Sequence, residues 1–120
     1  MSTAAGFESH ELYASVSRLT GLIYDMEDRF PEDEIPVLYT RMRAAAVDLG
    51  AMIASGLSRH GSGGPGVLPP AAMDEARAKL SELRHYVLVS GSRFFLGAEQ
   101  VEAFEEIHRE ILAALTPGAV

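Results

Sequence analysis

Apolar residues recur along most of this chain in alternating four- and three-residue steps, and the steps break at proline and glycine. From about residue 9 to 29, Leu12, Val16, Leu19, Ile23 and Met26, continued by Phe30, fall on one stripe, as in a helix packed nearly parallel to its neighbours. Pro31 ends it, because the residue before a proline is pushed out of helical geometry. Gly21 lies inside this helix, at a cost of about 1 kcal/mol relative to alanine, and its expected role is to let another backbone approach closely. Glu32, Asp33 and Glu34 then supply negative charge for the positive end of a second helix, expected over about 34–57, with Pro36 tolerated in its first turn.

On that second helix Ile35, Leu38, Met42, Ala46, Leu49, Ile53 and Gly56 form the core face. Its other side is also apolar: Val37, Ala44, Val47, Ala51 and Ala54 lie off the stripe, and Asp48 is the only charge between Ala44 and Leu57. The run 58–70, rich in glycine and proline, reads as a flexible linker. A third helix is expected over about 71–91, with Met73, Ala76, Leu80, Leu83 and Val87 inward and Leu88 and Val89 off the stripe. The stretch Tyr86 to Val89 admits a strand reading, but it extends a helical period without alternating polarity. Gly91 and Gly97 bracket a turn, and a fourth helix over about 98–115 carries Val101, Phe104, Ile111 and Leu115 on one side. Four helices of similar length joined by mostly short loops predict an all-α, antiparallel up-down-up-down four-helix bundle filling a single domain, 1–120.

The apolar second face of helix two leaves two readings. Either this chain's own helices cover it, or another subunit does, in a homo-oligomer whose interface includes Val37, Ala44, Val47, Ala51, Ala54, Leu88 and Val89. Composition narrows the rest. The 120 residues contain no cysteine, so apolar burial rather than disulfides or thiolate metal sites must hold the fold. The net charge of −7 disfavours nonspecific attraction to phosphate backbones and anionic lipid. The N-terminus lacks the basic and apolar runs of a secretory signal, and no segment has the roughly 18–20 apolar residues of a membrane span, so a cytoplasmic location is expected.

Three stretches resemble a known family. Ile23-Tyr24-x-Met26-x-x-x-Phe30-Pro31, the segment Arg41 to Gly56 (RMRAAAVDLGAMIASG), and Ala76-x-x-x-Leu80-Ser81-Glu82-Leu83 are similar, in order and spacing, to the four-helix-bundle proteins encoded within intervening sequences of bacterial large-subunit ribosomal RNA genes. The resemblance spans roughly residues 20–115. It implies an antiparallel bundle assembled into a five-fold ring. It also brings in a nucleic-acid-binding accessory subunit of diversity-generating retroelements, a relative that is basic where this chain is acidic. Ala44, Asp48, Gly50, Met52 and Ser55 replace residues usual in the family's helix two. Arg43 and Glu82 match it, and their position at the edge of the core stripes suggests a guanidinium–carboxylate pair between helices two and three or between subunits.

Chemistry is sparse. Glu82–His85 and Glu105–His108 share the Glu-x-x-His spacing of di-metal bundles, but His85 points about 200° from the core centre at Leu83, and helices one and two offer no inward glutamates. His108, between Phe104 and Ile111, reads as a core or interface histidine hydrogen-bonded to a neighbour. Residues 61–66 lack the lysine and hydroxyl end of a phosphate loop. No nucleophile elbow occurs. Arg41, Arg43, Arg59, His60 and Arg93 are the candidates for a nucleic-acid patch. The sequence thus predicts a non-enzymatic oligomeric interaction or scaffold protein, without cofactor or metal. A nucleic-acid-binding accessory protein is the alternative, and a di-metal carboxylate enzyme the third reading.

Overall fold

In a computed structural model, which describes residues 6–59 (Arg59 without its side chain) and 68–116, four helices run up, down, up and down. They are α1 (Glu11–Tyr24), α2 (Thr40–Arg59), α3 (Pro70–Ser92) and α4 (Ala98–Ala114). Neighbours in sequence pack as neighbours in space, and α4 closes against α1. Cross-helix contacts give the antiparallel register: Met42 meets Ser90, Asp48 faces Lys79, and Arg18 faces Glu110. No strand occurs among the described residues, so the segment around Tyr86–Val89 is helical. The linker expected over 58–70 falls largely on residues outside those described.

Burial follows the predicted stripes. Val16, Leu19 and Ile23 on α1, Met42, Ala46, Leu49 and Ile53 on α2, Leu80, Leu83 and Val87 on α3, and Phe104 and Ile111 on α4 are all at most 1% exposed. Ala45 is equally buried although it stands off the α2 stripe, because α2 packs against both α1 and α3 and its buried arc is wider than one stripe, and Tyr39 is buried with its ring against Phe30 and its hydroxyl donating to the Tyr24 carbonyl. Gly56 sits where a Cβ would lie only 2.5 Å from Leu68 Cδ2, so its lack of a side chain lets Leu68 into the core.

Three local features depart from expectation. The first helix stops at Tyr24 rather than near 29, and a 3₁₀ turn over Glu27–Arg29 completes the stripe with Met26 and Phe30 still buried. Asp25, Glu27 and Asp28 would place three negative charges at the negative end of a helix dipole, which disfavours a further α-turn. The second helix opens with a π-helical turn, Ile35–Tyr39, in which the Tyr39 N–H reaches back five residues to the Glu34 carbonyl. Pro36, lacking an N–H, lies in that turn. Gly21 is exposed, and a Cβ there would meet nothing within 4 Å. Among the described residues nothing approaches Gly21 closely, and Gly21→Ala should raise stability by about 1 kcal/mol, read from the urea midpoint.

The α3–α4 turn closes on a Schellman arrangement. The Phe94 N–H donates to the Gly91 carbonyl and the Phe95 N–H to the Ser90 carbonyl, each at 3.0 Å. This motif needs a left-handed residue, usually glycine, and here it is Phe94 with φ 65°. An L-residue in that conformation costs roughly 1–2 kcal/mol. Phe95 turns inward, its ring centroid 5.5 Å from that of Phe30, while Phe94 is 90% exposed.

Candidate functional site

Three of the four seams between helices are tied by charge. Arg18 of α1 donates to both carboxylate oxygens of Glu110 on α4, at 2.6 and 3.1 Å, and Ser15 Oγ donates to the same group at 3.3 Å. Arg84 of α3 makes a two-pronged contact with Glu105 of α4, Nε to Oε1 at 2.9 Å and one terminal nitrogen to Oε2 at 2.8 Å. Lys79 of α3 lies 3.9 Å from Asp48, the lone charge on the middle of α2. Among the described residues no ion pair crosses the α1–α2 seam.

The hydrogen bonds from Arg84 hold the Glu105 carboxyl below the usual glutamate range, against the smaller opposing effect of burial. Its stabilising contribution is therefore complete above the unfolded glutamate pKa of about 4.3 and is lost as pH falls through the lower folded value. Glu105→Gln is expected to lower stability at pH 7 by up to about 1 kcal/mol, with the gap to the parent closing in urea titrations as pH falls below the ordinary glutamate range.

The unpaired α1–α2 seam holds an open groove of about 320 Å³. Val47, Gly50, Ala51 and Ala54 of α2 form one wall, and Phe7, Tyr13, Val16, Ser17 and Thr20 form the other. Phe7 reaches this wall from a 3₁₀ turn, Phe7–Ser9, and its ring stands edge-to-face with that of Tyr13, centroids 4.9 Å apart. The side chain of His10 then starts α1 by accepting the Leu12 N–H at 3.0 Å. Gly50 forms part of the floor, where a Cβ would stand in ordinary contact with Val16 at 3.7 Å. On the other flank of α2, Ala51, Met52 and Ser55 line a second groove with Ala72 and Glu75 of α3. Ala51 borders both grooves, so α2 stands out as a ridge of small side chains between two furrows, a shape suited to packing by further helices.

Among the described residues no helix of the chain covers this ridge. Val37 is 54% and Val47 46% exposed, Ala44 and Ala51 are exposed, and Ala54 is half-buried. On α3, Leu88 is 40% exposed and Val89 half-buried. Of the seven residues expected at an interface, Val47, Ala51 and Ala54 come together in one groove. The α1 wall, above all Phe7 and Tyr13, was not expected; the aromatic pair at both ends of 7–13 was its only sequence signal.

Other expected groupings do not form. Within the chain Arg43 and Glu82 are not paired: Glu82 accepts from Lys79 at 3.0 Å and from the Tyr86 hydroxyl at 2.9 Å, and these contacts hold its carboxyl below the usual range. Arg43 instead lies with its guanidinium carbon 5.8 Å from the centroid of the Tyr39 ring, one helical turn earlier. The arginine set is split. Arg41, Arg43 and Arg93 share the end of the bundle where α2 begins and α3 stops, whereas Arg59 ends α2 roughly 27 Å away along the axis; its side chain and His60 lie outside the described residues. His108 is half-buried beside the Phe104 ring at 5.8 Å and has no hydrogen-bond partner among the described residues; burial, aided by Arg84, pushes its pKa down. Glu82 and Glu105 are each engaged by a cation, and among the described residues no three acidic or histidine side chains gather as a metal site would require. Among the same residues no helix is long and apolar enough to cross a membrane.

Compared with known proteins, the chain matches no family model and no curated sequence.

Proposed function

We propose that this chain is a non-enzymatic, self-assembling helical-bundle protein that acts as a cytoplasmic interaction scaffold, with further copies covering the α2 ridge and the α1–α2 groove. The observation that carries this reading is an apolar ridge, Val37, Ala44, Val47 and Ala51, left uncovered by the helices of the described residues. Burying some hundreds of Å² of such a surface at about 25 cal/mol per Å² is worth several kcal/mol before association costs. Small residues on a ridge flanked by furrows also permit a close approach of helices with little loss of side-chain entropy. The resemblance to the intervening-sequence bundle proteins supports a place in that family and a five-membered ring.

Light scattering on a size-exclusion column tests this at micromolar concentration. A mass that is a multiple of 12.9 kDa is expected, near 65 kDa, roughly five chains, for the ring. A monomer at every accessible concentration overturns the reading.

A further inference from the structure

Phe94 carries two disfavoured properties at once. Its backbone is left-handed, where the turn would accept glycine without penalty, and its ring is 90% exposed, the most exposed large apolar side chain described. The neighbouring Phe95 already supplies the turn's inward anchor against Phe30. Nothing within the fold therefore uses the Phe94 ring. Arg93, immediately before it, is also exposed and makes no ion pair among the described residues. The α3–α4 turn thus presents a cation and an aromatic ring side by side.

At the same end of the bundle, where α1 stops and the chain crosses to α2, lies a groove of about 450 Å³ lined by Tyr24, Asp25, Glu27, Asp28 and Ile35. Tyr24 is 52% exposed and Ile35 half-buried, so the groove has apolar walls, and three carboxylates border it. The segment 25–34 as a whole has six acidic residues against Arg29. The cation–aromatic turn matches this groove in both charge and polarity, and within the chain neither Arg93 nor Phe94 lines it. The Phe94 ring, 90% exposed, is left free to enter the groove of a second molecule.

We infer that the Arg93–Phe94 turn of one copy docks in the Tyr24–Ile35 groove of a second copy, with the Phe94 ring between Tyr24 and Ile35 and Arg93 against the Asp25, Glu27 and Asp28 carboxylates. This rests on the self-assembly proposed above and adds a named contact to it. The two surfaces are different, so the contact is heterologous: it closes into a ring or pairs reciprocally in a dimer. A central aromatic anchor beside a charge is the composition of interface positions that dominate affinity.

The test combines concentration-dependent light scattering with site-specific crosslinking on the full chain. Phe94→Gly suits the turn and should leave the folded monomer at least as heat-stable as the parent while weakening self-association at least tenfold. Tyr24→Ala, on the groove side, should weaken it similarly, and the double variant should be little worse than either single one, because both remove the same contact. A photoreactive phenylalanine analogue at position 94 should crosslink to the 24–35 segment of another copy. Unchanged association in Phe94→Gly, additive losses in the double variant, or a crosslink to any other segment overturns the contact, as does one formed only with a different protein when lysate is added. If the parent chain itself stays monomeric, the α2-ridge reading fails first and this contact falls with it; if the parent assembles and Phe94→Gly assembles equally, only the contact fails.

Discussion

Phe104→Ala is expected to destabilise the chain by about 3–5 kcal/mol, a large share of the roughly 5–15 kcal/mol that holds a domain folded. The ring is fully buried, and the expected loss is large because α4 is thinly anchored. Within the helix itself, only Phe104 and Ile111 are fully buried, with Leu115 at its C-cap. Removing the ring leaves a cavity that neighbouring helices can refill only by moving α4, and the Arg18–Glu110 and Arg84–Glu105 contacts oppose that shift. Urea unfolding followed by circular dichroism measures the effect. Ile107→Ala, at a half-buried position on the same helix, should cost clearly less. Equal, small losses at both positions would mean that α4 is not seated through Phe104.

The second large effect concerns assembly rather than folding. Val47→Arg combined with Ala51→Arg is expected to convert the assembly into folded monomers of about 12.9 kDa, with helical circular dichroism retained. Both side chains are exposed in the single chain, so two arginines there cost the fold little. Within an interface they would place two unpaired charges in an apolar seam, at several kcal/mol each. Light scattering reads the outcome. An assembly that survives both arginines is held together elsewhere.

Much of the bundle was legible because burial at a 3.6-residue period outweighs other signals over long helices. Met42, Ala46, Leu49 and Ile53 show this on α2, as do Leu80, Leu83 and Val87 on α3. What periodicity could not show was helix rotation against a neighbour. Ala45 is buried because α2 touches two helices, Tyr39 because its ring meets Phe30, and the Phe7–Tyr13 wall of the groove depends on how α1 turns toward α2. Partner choice among charges was equally hidden. Arg43 and Glu82 are plausible partners by stripe position, but Lys79 and Tyr86 stand three and four residues from Glu82 on its own helix and reach it first. The α3–α4 turn shows the same limit. Phe94 and Phe95 are identical letters, and only the hydrogen bonds of the helix end decide which one turns inward.

Chemical protection of α2 tests the central claim most directly. The chain has no cysteine, so a thiol placed by Ala51→Cys is the sole reporter, and Glu102→Cys on the exposed side of α4 serves as its reference. If copies cover the ridge, alkylation at position 51 should slow at least tenfold as protein concentration rises through the association midpoint, while position 102 reacts at a constant rate. Equal rates at both positions, at every concentration, would contradict burial of the ridge between copies.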